Sequence, residues 1–190
     1  MRLRDEPKLG RALHGLYVAL CEARKLSPDD FKDSRLTTIQ TAFMGVEDCG
    51  WRVIGITPEA LELLAPMDFH KHKLPRRLCR GHVVDRIQTT RALFAHAKPL
   101  NQKRFFETFL ANDCTVIMLA EQNRGKWSFP RYLDIRKPDA DIFPNGGLIG
   151  WKQRKAEREF LAELYTELKA GRCRRVKSGR RRKEPVPRAK

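Results

Sequence analysis

Hydrophobic side chains recur at steps of three and four residues near the start of the chain, which is the period of an amphipathic helix. This pattern predicts a first helix over residues 8–26, with one apolar stripe turned toward a hydrophobic core. The members of the stripe are Leu9, Ala12, Leu13, Leu16, Tyr17, Leu20 and Cys21.

Two further helix starts are indicated by a hydroxyl side chain followed by proline. Ser27-Pro28 precedes two acids, which stabilise the first turn of a helix, and it therefore predicts a second helix that ends near residue 47. Thr57-Pro58 carries the same signal and predicts a short helix that ends near residue 64. The inward face of the second helix is expected to hold Phe31, Leu36, Ile39, Phe43 and Val46.

Short apolar runs, rich in β-branched residues at 115–119, separate the other helical segments and favour extended structure. Strands are predicted at 51–56, 80–84, 115–119 and 133–135. Further helices are predicted at 86–97, 101–110 and 151–169, with a short helix or turn at 121–124.

These elements predict a helix-rich α+β fold. At 190 residues the chain has the length of one domain with appendages. We expect one domain over residues 1–170, in which a small site of two strands and a helix is embedded among the other helices. Residues 171–190 are expected to form a basic, disordered C-terminal tail.

The charge of the chain points to an anionic partner. The formal net charge is +16, and the tail holds ten lysines and arginines against Glu184 alone. The first 170 residues are also net positive, so DNA, or alternatively RNA, is the expected partner rather than a membrane. The tail residues expected to bind phosphates are Arg174, Arg175, Arg180, Arg181 and Arg182.

The compartment expected from the sequence is the cytoplasm. The N-terminal residues are charged and lack the apolar core of a secretory signal, and the apolar runs are far shorter than a membrane span. The five cysteines form no Cys-x-x-Cys pair and their number is odd, which is typical of reduced thiols rather than a disulfide framework.

Polar residues at the ends of two predicted strands suggest phosphodiester chemistry. His82 could deprotonate water near neutral pH. Hydrolysis of a phosphodiester also needs a cation, usually Mg²⁺ or another divalent metal, which oxygen donors would hold. The available donors are Asn123, Glu121 and Asp85. The arginines that could hold the scissile phosphate are Arg80, Arg86 and Arg124.

The order Arg80-Gly81-His82, Thr115-Val116-Ile117, Glu121-Gln122-Asn123 resembles the His-Me finger endonucleases, the HNH and related ββα-metal enzymes. The resemblance covers roughly residues 78–130. It implies a ββα-metal-like site in which His82 is the general base and Asn123 binds one divalent metal. The expected function is then a metal-dependent endonuclease that acts on DNA.

A zinc site is a competing interpretation of the same segment. Two imidazoles, a thiol and a third imidazole fall within thirteen residues and are the side chains that Zn²⁺ prefers. This arrangement would occupy His82 and remove it from catalysis. The four candidate ligands are His70, His72, Cys79 and His82.

Aromatic and basic residues alternate in residues 126–132, a composition that suits stacking on unpaired bases and contact with phosphates. The candidate contacts are Lys126, Trp127 and Arg131. Two non-catalytic alternatives stay open. The chain could be a DNA- or RNA-binding protein in which His82 is structural, or an RNA-associated protein whose tail folds on binding.

Overall fold

The computed structural model describes residues 7–45, 52–70, 78–124, 129–135, 155–172 and 176–177. The helices are α1 (Pro7–Leu26), α2 (Asp33–Met44), α3 (Pro58–Leu64), α4 (Arg86–Phe94), α5 (Gln102–Asn112), α6 (Ala120–Asn123) and α7 (Lys155–Lys169). A turn of 3₁₀ helix, Ala65–Met67, follows α3. The strands are β1 (Arg52–Ile56), β2 (Leu78–His82), β3 (Cys114–Leu119), β4 (Tyr132–Asp134) and β5 (Val176–Lys177). None of the helices in these segments has the length and apolar character needed to cross a membrane.

The strands form one mixed sheet in the order β2-β3-β1-β4-β5. β1 runs parallel to β3, whereas β2 and β3, β1 and β4, and β4 and β5 pair antiparallel. The α+β, helix-rich fold class is confirmed. The sheet has five strands, however, and the last strand lies at residues 176–177, beyond the boundary predicted at residue 170.

Two hydrophobic clusters cover the two faces of the sheet. On the face that we call the α3/α7 face, α3 and α7 pack over residues of β1, β2, β3 and β4. On the opposite face, which we call the Phe129 face, Phe129 packs with alternate residues of the same strands, including Val116, Met118 and Tyr132. A third cluster joins α1, α2, α4 and α5 into a helical layer with its own core.

The buried residues of α1 recur with the predicted period, but not all residues of the predicted apolar stripe are buried. Leu13, Tyr17 and Cys21 are buried in the helical layer. Leu16 is 49% exposed, and Ala12 also faces solvent. The stripe is therefore wider than the face that the neighbouring helices cover.

The helix predicted to start at Ser27 starts instead at Asp33. The Ser27 hydroxyl donates to the Asp30 carboxylate at 2.6 Å, and the Asp30 amide donates to the Ser27 carbonyl, so these residues close a turn. Leu36 is buried as predicted, whereas Val46 lies outside the described residues. The Thr57 prediction is confirmed, because the hydroxyl of Thr57 accepts the Ala60 amide hydrogen.

Tyr17 connects α1 to α4 and to the segment before α5. Its hydroxyl donates to the Leu93 carbonyl at 2.8 Å and accepts from the Leu100 amide at 3.0 Å. Its ring stacks on Phe105 with 4.5 Å between the centroids. Burial raises the pKa of Tyr17 to about 12, because the ionised phenolate would be poorly solvated in this core.

The protonated form of Tyr17 is therefore required in the folded state, and its contribution to stability should fall as pH rises from the ordinary tyrosine pKa toward about 12. Between about pH 9 and about pH 11, wild-type protein should lose about 1 kcal/mol more unfolding free energy than Tyr17→Phe. Urea unfolding of both proteins across this range measures the difference. If the unfolding free energies of the two proteins fell in parallel with pH, the raised pKa of Tyr17 would be contradicted, whatever the constant difference between them.

Candidate functional site

The β2–β3 pair determines which way the candidate residues face. Arg80 lies opposite Ile117, and His82 lies opposite Thr115. Directly opposed residues project to the same face of a sheet, and successive residues of a strand alternate between faces. Arg80 and His82 therefore belong to the α3/α7 face, whereas Cys79 and Gly81 belong to the Phe129 face.

His82 is paired with an acid that sequence reasoning did not select. Its Nε2 lies 3.2 Å from Oδ1 of Asp113, the residue between α5 and β3. The two side chains are 11% and 7% exposed. A donor–acceptor pair at this distance, with so little solvent access, fixes the orientation of the imidazole.

Arg80 belongs to the same buried group. Burial lowers the pKa of Arg80 to about 10, and the negative charge of Asp113 acts in the opposite direction. The guanidinium is therefore still charged at neutral pH, with Asp113 as a nearby counter-charge. We call Arg80, His82 and Asp113 the buried ionic cluster.

Asn123 lies on the other side of the sheet from His82. α6 packs against β2 and β3. A Cβ added to Gly81 would lie 2.8 Å from Oδ1 of Asn123, and Asn123 is near enough to Cys79 to lower the pKa of its thiol against the larger effect of burial. Both contacts are on the Phe129 face. The predicted convergence of His82 and Asn123 on one ion is therefore wrong, because β2 separates the two side chains.

The other predicted metal donors do not complete a ligand set around His82. Glu121 accompanies Asn123 on α6, where it adds to burial in raising the pKa of Cys79. Asp85 is the N-cap residue of α4, and its carbonyl accepts from the amide of Gln88. Within the described segments, no three His, Cys, Asp or Glu side chains form a group that could hold a metal ion. The side chains near His82 thus do not fit the Mg²⁺ site that the resemblance implies.

The four zinc candidates are also dispersed. His70 contacts Arg158 of α7, Cys79 contacts Asn123, and His82 contacts Asp113. His72 lies outside the described residues. Cys79 and His82 project to opposite faces of β2, so these two side chains do not share one ion.

A small polar cavity adjoins the buried ionic cluster. It is lined by residues of α2, α4 and α5, among them Arg86 and Thr90, and by Asp113. Its volume is about 10 Å³, which is room for roughly one water molecule. The cavity is too small for a phosphate group, so Arg86 could contact a phosphodiester only from its exposed side.

The predicted nucleic-acid contacts are only partly within the described chain. Arg124, which follows α6, and Arg131, which precedes β4, are both exposed. The others lie outside the described residues, namely Lys126, Trp127, Arg174, Arg175, Arg180, Arg181 and Arg182.

Asp113 is the residue that sequence reasoning missed, because it lies between the predicted helix at 101–110 and the predicted strand at 115–119. An acid directly before a strand is an ordinary loop feature. Its importance depends on the antiparallel register of β2 and β3, which brings residue 113 next to the end of β2. The pairing partner of β3 is a long-range property and leaves no local signal.

Comparison of the chain with models of protein families, with curated proteins and with solved structures found no match.

Proposed function

We propose that this protein binds nucleic acid through the phosphate backbone, with DNA as the first candidate and RNA as the second, and does not cleave it. The observation that carries the proposal is the distribution of positive charge along the chain. Lysines and arginines outnumber acids both in the first 170 residues and in the C-terminal segment, and the net charge of the chain is +16. Such a surface attracts polyanions irrespective of their sequence.

Several cations of the body are available to an external partner. Within the described segments, nine exposed lysines and arginines form no ion pair with an acid of those segments. They are Lys8, Arg11, Lys98, Lys103, Arg104, Arg124, Arg131, Arg172 and Lys177. Because no carboxylate of the described segments pairs with them, these side chains can exchange their counter-ions for phosphates.

The C-terminal segment of the sequence is also basic. Lys177 belongs to β5, which pairs with β4 at the edge of the sheet. The residues that follow, 178–190, hold six lysines and arginines and one acid. A basic segment of this kind binds phosphates electrostatically and without reading base sequence.

Metal-dependent cleavage of DNA is the second candidate. The antiparallel β2 and β3 strands followed by α6 favour it, since they repeat the order of strand, strand and helix that the resemblance implies. The positions of His82 and Asn123 on opposite faces of β2 weigh against it. The two candidates differ in whether the bound DNA is cleaved.

The proposal is tested by binding of the full-length protein to a duplex DNA of arbitrary sequence at several salt concentrations. We expect the logarithm of the association constant to fall linearly with the logarithm of salt, with a slope of about −0.9 for each phosphate contacted. Deletion of residues 178–190, which leaves β5 intact, should weaken binding by about tenfold or more and flatten this slope. A variant with the same residues in scrambled order is the matched control and should bind as wild type.

Two results would contradict the proposal. The first is the absence of binding at low salt, or binding that does not respond to salt. The second is nicking of plasmid DNA with Mg²⁺ or Mn²⁺ by wild-type protein but not by His82→Ala, which would favour the endonuclease.

A further inference from the structure

The first turns of α1 and α5 lie side by side. A Cβ added to Gly10 would lie 3.0 Å from Nε2 of the Gln102 side chain, and α1 packs against α5. His14 contacts the Leu100 carbonyl through Nε2 at 2.8 Å, and the Leu100 amide donates to Tyr17. These contacts hold the start of α1 against the segment that leads into α5.

Five exposed cations belong to the two stretches of chain that meet at this junction. Two of them are within two residues of Gly10, and the other three are within two residues of Leu100 or Gln102. We call them the N-terminal basic face, which consists of Lys8, Arg11, Lys98, Lys103 and Arg104. They come from two stretches of the chain, residues 8–11 and 98–104, so their grouping depends on the packing of α1 against α5.

Little negative charge compensates this face. Neither α1 nor α5 has an acid in its first turn. The nearest acid on α5 is Glu107, and no ion pair joins Glu107 to the basic face within the described residues. The six residues before α1 hold two arginines and two acids and leave the sign of the charge unchanged.

Four other exposed cations of the body do form ion pairs with acids. Lys32, Arg35, Lys155 and Lys169 each pair with a carboxylate, at N–O distances of 4.0, 3.7, 3.6 and 2.7 Å. A paired cation must give up its carboxylate before it can bind a phosphate, whereas a cation of the basic face gives up only mobile counter-ions. Like charges that are held together without compensation also repel one another in the free protein.

From these observations we infer that the N-terminal basic face is the surface of the folded body that contacts the phosphates of a nucleic acid. The inference rests on the proposed function and says which part of the folded body binds the nucleic acid. It also implies that this group of charges is kept for binding, at some cost to stability.

The test replaces four cations of the face in the full-length protein, Lys8→Gln, Arg11→Gln, Lys103→Gln and Arg104→Gln. The matched control removes the same charge from paired cations elsewhere, Lys32→Gln, Arg35→Gln, Lys155→Gln and Lys169→Gln. Binding of each protein to the same duplex DNA is measured across salt concentrations. We expect the face variant to bind about tenfold to a hundredfold more weakly, with a slope flattened by about 0.9 per lost contact, and the control to change several-fold less.

A second measurement separates binding from folding. Thermal unfolding of the face variant should occur at the wild-type temperature or above it, because the substitutions relieve repulsion. Equal loss of affinity in the face and control variants would overturn the inference, since binding would then follow net charge alone. Unchanged DNA binding by the face variant, with reduced binding to phosphatidylserine vesicles, would also overturn it. Failure of wild-type protein to bind DNA would instead remove the proposed function on which it rests.

Discussion

Replacing Asp113 with alanine is expected to lower the free energy of unfolding by about 1 to 3 kcal/mol, the range for leaving a buried hydrogen-bonding partner unsatisfied. Asp113 is 7% exposed, hydrogen-bonds to His82 and provides the counter-charge for Arg80. Its removal leaves the guanidinium of Arg80 partly buried without that carboxylate, and leaves the His82 imidazole without its acceptor. Urea unfolding at neutral pH measures the loss.

A double-mutant cycle identifies the cause of the loss. If loss of the Asp113 charge near Arg80 is responsible, the destabilisation caused by Asp113→Ala should be smaller by about 1 kcal/mol or more in an Arg80→Met background than in wild type. Asp113→Asn keeps an acceptor for His82 and removes the charge, so it should lie between wild type and Asp113→Ala. The exposed Glu163→Ala is the control and should change stability by less than about 0.5 kcal/mol. Equal effects of Asp113→Ala and Glu163→Ala would show that the buried ionic cluster contributes little.

Gly55→Ala is expected to destabilise the protein by about 2 to 3 kcal/mol, because it overfills a packed region. Gly55 lies in β1, between β3 and β4, where the pairing register with β3 shifts. An added Cβ would lie 2.3 Å from Cδ2 of Tyr132 and 3.0 Å from the Leu133 carbonyl oxygen. The ring could turn aside, but the carbonyl belongs to the backbone of β4 and cannot move without disturbing the sheet.

Gly15→Ala is the matched control for this substitution. Gly15 is exposed in the middle of α1, and nothing lies within 4 Å of an added Cβ. Here alanine should stabilise the protein by about 0.5 to 1 kcal/mol, because it favours the helix over the unfolded chain. Thermal unfolding should thus shift in opposite directions for the two variants. A shift in the same direction would contradict the close packing of β1 against β4.

Local signals in the sequence predicted which segments are helical better than they predicted the residue at which each helix begins. Thr57-Pro58 and Ser27-Pro28 have the same pattern, yet only Thr57 caps a helix. The start of α2 at Asp33 coincides with long-range contacts, since Asp33 pairs with Arg24 of α1 and Arg91 of α4. Residues so far apart in sequence cannot be recognised as partners from the pattern around Ser27.

The candidate site was less predictable than the fold, for a reason that lies in strand geometry. The alternation of β2 puts Arg80 and His82 on one face, and this much follows from the sequence. The side of the sheet to which α6 returns does not, because it depends on how the chain leaves β3. The Cys79–Asn123 contact shows that α6 returns to the Phe129 face. The order of the motifs along the chain therefore does not determine on which face of the sheet their side chains lie.

The short strand β5 gives the basic C-terminal segment a fixed origin. Residue 177 is hydrogen-bonded into the sheet, and the thirteen residues after it can extend at most about 45 Å from that point. A nucleic acid already held within this radius would meet the segment at a high effective concentration, since the second contact is intramolecular. Shortening the segment should therefore shorten the residence time of the protein on nucleic acid more than it slows the first encounter.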